Sequence, residues 1–269
     1  MRKVLALFAM LAAATFVVPA SQAITDGELD GNGHPYVGLM VAQTAGGTPL
    51  WRCSGTLVSA ELFVTAGHCT EPPAAHIEIW FDDGSPIPIG NPGNDVPDYP
   101  FVGDVGGTPF THPDYNPNAF FLRDLGVVEL DAPMVMPTYG TLPGLNSLDT
   151  LKTQRGKQET TFTAVGYGLQ KSFPDAAAWK ESALRTRMVA HPHLIQINGG
   201  LVGDFSLLLS NNAHSGGTCF GDSGGPNFLG NSNVIAGVTS FGLNGNCAGT
   251  GGVFRLDRSW SLDFINDHL

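Results

Sequence analysis

The chain has 269 residues, with 13 Lys and Arg against 24 Asp and Glu, and a formal net charge of −11. A surface of that sign repels phosphate backbones and anionic lipid, so nucleic acid and membranes are disfavoured as partners. Charged residues make up only 14% while Gly (35) and Pro (19) are scattered throughout, which speaks against long amphipathic helices and for short strands between turns.

The N-terminus reads as a leader. Met1-Arg2-Lys3 is basic, Val4 to Val18 is apolar, and Ser21-Gln22-Ala23 has the small-x-small form of a signal peptidase site. The apolar run is short for a bilayer span, which needs about 20 residues. The expectation is a signal peptide over 1–23 and a secreted mature chain, extracellular or periplasmic, that starts at Ile24 and has no membrane attachment.

Short apolar or alternating runs follow at Gly55–Val58, His76–Phe81, Leu125–Leu130, Thr161–Tyr167 and Val234–Phe241, each bounded by turn residues. This is an all-β pattern. Gly84 to Gly107, rich in Gly, Pro and Asp, reads as an excursion between strands, and Asp131 to Thr150 as a connection between two halves. At the end, Leu256, Trp260, Phe264 and Ile265 fall at helical spacing, with Asp257 or Ser259 as the cap.

Four cysteines stand at Cys53, Cys69, Cys219 and Cys247. An even count in a secreted chain predicts two disulfides, and the residues alone leave all three pairings open. No two cysteines have CxxC spacing, so a zinc site is disfavoured.

Three motifs carry chemistry. Thr65-Ala66-Gly67-His68-Cys69 supplies an imidazole, which titrates near neutral pH and can act as a base. Leu122-Arg123-Asp124-Leu125-Gly126 puts a carboxylate at the head of an apolar strand, where it can orient that imidazole. Gly221-Asp222-Ser223-Gly224-Gly225 puts a hydroxyl at the tip of a glycine-lined turn. A serine hydroxyl is a poor nucleophile without such a base and orienting group. Asp104, Asp114 and Asp131 compete with Asp124, which is preferred because it precedes a strand-like run.

These motifs, in the order His, Asp, Ser, resemble those of the trypsin/chymotrypsin family of serine endopeptidases. His112-Pro113-Asp114-Tyr115-Asn116 is also similar to the segment that precedes the family's aspartate. The resemblance implies two antiparallel six-stranded β-barrels with a C-terminal helix and the active site in the cleft between the barrels. The first barrel would span about 24–135, the second about 150–255 and the helix about 257–268. It implies the catalytic residues His68, Asp124 and Ser223, an oxyanion hole from the N–H groups of Gly221 and Ser223, and disulfides Cys53–Cys69 and Cys219–Cys247. It places Gly217, Thr218, Ser240, Phe241, Gly242 and Gly252 around the substrate pocket.

With no acidic residue at Gly217, and glycine at 242 and 252, the pocket is expected to be deep, uncharged and selective for large apolar side chains. Thr239 stands where acid-selective relatives carry histidine. Ile24 resembles the family's mature N-terminus, whose amine pairs with Asp222, although Thr25 and Asp26 depart from the usual Ile-Val-Gly-Gly. No cofactor and no metal are expected. The partners expected are polypeptide substrates and protein inhibitors of such enzymes, with the chain a monomer. The alternative is a catalytically weak or inactive binding protein on the same fold. Such relatives typically lose a triad residue, and this chain has all three. An α/β-hydrolase esterase would run Ser, Asp, His and need strand–helix alternation, and the chain has neither.

Overall fold

The computed structural model describes residues 24–84, 87, 102–151, 159–170 and 185–269. The expected leader and most of the excursion after Gly84 lie outside these residues. Among the described residues the regular structure is mainly antiparallel strand. A short strand β1 (Glu28–Leu29) is followed by β2 (Val37–Gln43), β3 (Pro49–Leu57), β4 (Leu62–Thr65), β5 (His76–Trp80), β6 (Val105–Thr111) and β7 (Gly126–Leu130). Strands β2 to β7 close a six-stranded barrel in the order β2-β3-β4-β7-β6-β5. Its interior is apolar, with Leu39, Val41, Phe63, Ile77, Ile79 and Val127 fully buried.

The second half contains β8 (Phe162–Gly166), β9 (Met188–Ala190), β10 (Leu194–Gln196), β11 (Ser206–Asn211), β12 (Pro226–Leu229), β13 (Ile235–Gly242) and β14 (Gly249–Arg255). Together with β1 they form an eight-stranded sheet, β1-β9-β8-β12-β13-β14-β11-β10. Strand β1 crosses to this half by pairing Glu28 with Val189 and Leu29 with Met188. The N-terminal segment is therefore stitched to the second sheet before the chain enters the first barrel.

The five apolar runs read from the sequence fall on β3, β5, β7, β8 and β13. Two local expectations are corrected. The excursion after Gly84 ends earlier than Gly107, because Val105 begins β6 and its neighbour Gly107 pairs with Leu130. The C-terminal helix α2 (Ser259–Asn266) has Arg258 at its N-cap and no side-chain cap. Asp257 does not cap it, because its carboxylate is taken by the Arg255 guanidinium and the Leu148 N–H.

The two halves share one buried apolar cluster, in which Tyr36 of the first meets Phe228 of the second, and polar contacts reinforce it. Arg187, fully buried in the second half, reaches the carboxylates of Asp30 (2.8 Å) and Asp82 (3.2 Å) and the Tyr167 hydroxyl. Arg123, beside the expected catalytic aspartate, lies 4.2 Å from the Trp260 ring and 5.2 Å from that of Phe205. These cation–π contacts tie the approach to β7 onto α2.

Candidate active site

His68 sits in a single helical turn, α1 (Gly67–Thr70), directly after β4. The turn is tight because Gly67 has no room for a side chain: a Cβ there would meet the Tyr115 ring at 3.0 Å and the Leu125 backbone at 3.1 Å. Cys69 is bonded to Cys53 on β3, which fixes the far side of the turn. Asp124 is fully buried at the foot of β7. Its carboxylate accepts from the His68 backbone N–H at 2.9 Å and lies 2.9 and 3.1 Å from the His68 Nδ1. With Nδ1 carrying the proton toward Asp124, Nε2 is left to accept one.

A third donor completes the carboxylate's surroundings. The Ser240 hydroxyl, on β13 of the other half, donates to Asp124 Oδ2 at 2.6 Å. The sequence had marked Ser240 only as a pocket residue, and no local signal links it to Asp124, since the two lie 116 residues apart. Burial alone would lower the His68 pKa. The charge and hydrogen bond of Asp124, with the Glu71 carboxylate nearby, outweigh it and hold the imidazole above its ordinary value of 6.5.

Ser223 lies at the tip of a turn that leads into β12. Gly224 has φ +77°, and a Cβ there would fall 1.9 Å from the Thr65 hydroxyl, so only glycine fits. Gly221 has φ +92°. The first barrel grips this turn: the Ser54 N–H donates to the Ser223 carbonyl at 2.8 Å and the Ser54 hydroxyl to the Gly221 carbonyl at 2.9 Å. The N–H groups of Asp222, Gly224 and Gly225 are spent on the carbonyls of Cys219, Thr239 and Asp222. Those of Gly221 and Ser223 have no protein acceptor among the described residues.

His68 and Ser223 face one cavity of about 720 Å³, which runs between the two halves. Thr218, Ser240, Phe241 and Gly242 line it as expected, and the Cys219–Cys247 disulfide forms part of its wall. Gly217 and Gly252 do not line it. A Cβ on Gly217 would meet the Asn211 side chain at 2.4 Å, and one on Gly252 would meet the Phe241 ring at 2.3 Å. Both glycines are thus covered by neighbours, and the space foreseen beside Gly252 is filled by Phe241. A second cavity of about 350 Å³ opens on the other side of Ser223 and His68, between Trp51, Arg52, Leu169 and Phe220.

Asp222 points away from both cavities into the protein. It is fully buried and accepts from the N–H groups of Gly168 (2.7 Å) and Cys219 (2.9 Å). Burial pushes its carboxyl up to about 7, against the opposing pull of those hydrogen bonds and the Arg52 charge. Ile24 is also fully buried, packed with Ala164, Met188 and Ala190, and Thr25 bridges to Gly217. Among the described residues the one group with metal-ligand spacing is Cys53, His68 and Cys69, and both of its sulfurs are committed to the disulfide.

Known proteins agree with this architecture. The chain is 27% identical over 201 residues to brachyurin of Leptuca pugilator, spanning 74% of this chain and 79% of brachyurin. Among solved structures, HL collagenase matches with a TM-score of 0.66 at 20% identity, over 91% of this chain and 97% of its own. Human heparin binding protein matches with a TM-score of 0.62 at 20% identity, over 91% and 97%. At that identity the two structures speak for the fold. The trypsin family profile matches residues 30–256, most of the chain, and the chain belongs to the trypsin family.

Proposed function

We propose that the protein is a secreted serine endopeptidase in which Ser223 attacks the scissile carbonyl. His68 Nε2 takes the hydroxyl proton, and Asp124 keeps the other ring nitrogen protonated and aimed. The N–H groups of Gly221 and Ser223 receive the oxyanion, each such donor being worth about 3 kcal/mol in the transition state. His68 then passes its proton to the leaving amine. A water, activated by the same imidazole, releases the acyl group from Ser223. The observation that carries this reading is the hydrogen-bonded set His68–Asp124–Ser240 facing the same cavity as Ser223.

The cavity end formed by Thr218, Phe241, Gly242 and Leu243 holds no charged side chain, which supports cleavage after large apolar residues. Burying a Lys or Arg there without a counter-charge costs several kcal/mol. Secretion is supported by the leader-like sequence over 1–23 and by the two disulfides. No helix among the described residues is long and apolar enough to cross a membrane.

The second reading, a non-catalytic binding protein, is favoured by the likeness to human heparin binding protein. Heparin is a polyanion, and a chain with net charge −11 would repel it. The decisive experiment is labelling of the purified protein with a serine-directed phosphonate alongside hydrolysis of a Phe ester, with Ser223→Ala as control. Hydrolysis and labelling that both vanish in Ser223→Ala support the peptidase. Native protein that does neither supports the binding-protein reading.

A further inference from the structure

The cleft has a neutral end and an acidic end. Glu71 is the one carboxylate lining the large cavity, and no Lys or Arg lines it. Glu71 follows α1 directly, and its N–H donates to the Gly67 carbonyl at 3.0 Å, so its backbone is fixed relative to His68. Its carboxylate interacts with the Tyr115 hydroxyl, and burial, together with the Asp124 charge, pushes its pKa up while His68 and Tyr115 pull it down. Among the described residues no Lys or Arg forms an ion pair with it.

The two ends lie on opposite walls. Thr218, Cys219 and Cys247 belong to the second half, whereas Glu71 and Tyr115 belong to the first. Successive side chains of an extended peptide point to opposite faces. Past Thr239, β13 pairs with β14 alone among the described residues, so one edge of Ser240–Gly242 is open to an added strand. A substrate laid along that edge with one side chain in the neutral end turns the side chain of the preceding residue toward His68, Glu71 and Tyr115. From this the geometry points to Glu71 as a specificity residue that selects Lys or Arg immediately before the residue held in the neutral pocket. The inference rests on the peptidase reading and on that register. The protein's overall negative charge adds to it by drawing basic polypeptides toward the cleft.

The test uses blocked dipeptide nitroanilides X-Phe, with X as Lys, Arg, Gln or Glu, on native protein, Glu71→Gln and Glu71→Lys. The readout is the ratio of kcat/KM for X = Lys to that for X = Glu within each protein. Taken as a ratio, it cancels any change that the substitution makes in His68. A partly exposed charge gives a ratio on the order of ten in native protein at low salt, since attraction of Lys and repulsion of Glu multiply. The ratio is expected to shrink in 0.5 M salt. It should approach one in Glu71→Gln and invert in Glu71→Lys. A native ratio near one with robust hydrolysis of Gln-Phe overturns the role of Glu71 and leaves the peptidase standing. A high native ratio that survives Glu71→Gln overturns it as well, by assigning the selectivity elsewhere. Native protein that hydrolyses no substrate and takes up no phosphonate overturns the peptidase reading and this inference together.

Discussion

A protein beginning at Ile24 should be more stable at pH 8 than one that keeps Ala23 and the residues before it, and far more active. The reason is Asp222. Its ordinary carboxyl value is 3.8, and burial raises it to about 7 in the folded chain. At about 1.4 kcal/mol per unit, ionising it in place costs the fold about 4 kcal/mol. A raised acid binds its proton more tightly folded than unfolded. Its contribution is therefore whole below pH 3.8, declines as pH rises, and is lost by about pH 7.

A positive charge placed beside the carboxylate removes that loss. The α-amino group released by cutting before Ile24 would be such a charge. Ile24 is fully buried with φ +52°, a conformation that costs a side-chain-bearing residue about 1–2 kcal/mol and that a chain terminus is free to leave. The measurement is thermal unfolding of both forms between pH 4 and 9, beside their activity on one ester substrate. The expected gap at pH 8 is on the order of 10 °C in Tm, narrowing toward pH 4. Equal pH dependence in the two forms, or full activity of the extended one, would refute the pairing of Ile24 with Asp222.

Three further outcomes follow from the site and its supports. The proposed mechanism needs neutral His68, and Asp124 and Glu71 raise its pKa, so the acid limb of the kcat/KM profile should fall above pH 6.5 and move to lower pH in Glu71→Gln. A limb that does not move separates Glu71 from the imidazole. Ser240→Ala removes the 2.6 Å bond to Asp124, and at about 1.5–3 kcal/mol for a bond to a charged group the turnover rate should drop about 10- to 100-fold. An unchanged rate would make that bond irrelevant to turnover. Arg187→Met strands two buried carboxylates. Burial alone would raise Asp30, yet hydrogen bonds from His34 and Arg187 hold it down at about 2. Breaking such a buried set from one side costs about 3–5 kcal/mol in urea unfolding, and a loss below about 1 kcal/mol would show that water replaces the guanidinium.

How much of this was legible in the sequence depended on how local each feature is. His68 and Ser223 stand out because their turns demand particular small neighbours, Gly67 against Tyr115 and Gly224 against Thr65. Each motif is therefore written into consecutive residues. The disulfides could be paired by resemblance but not by counting. The pocket glycines misled for the converse reason. Gly217 and Gly252 are small because side chains from other strands, Asn211 on β11 and Phe241 on β13, lie over them. Nothing beside either glycine in the sequence announces its cover. Glu71, one residue past Thr70 and beside His68 in the same turn, looks like any solvated acid until the closing of the barrel brings Tyr115 to it.

The least legible residue is Ser54, and it explains why the cleft stays aligned. A catalytic set split between two halves works only if their spacing is held to a fraction of an ångström. Ser54, on β3 of the first barrel, donates its N–H to Ser223 and its hydroxyl to Gly221, and its hydroxyl accepts from the Tyr167 N–H at 3.0 Å. Ser240 repeats the arrangement in reverse, reaching from the second half to Asp124 in the first. Each half thus carries a serine that holds a proposed catalytic residue of the other half. A hinge opening of the cleft would break all four bonds together. The spacing of His68 and Ser223 is therefore set by hydrogen bonds between the halves as much as by the folding of either one.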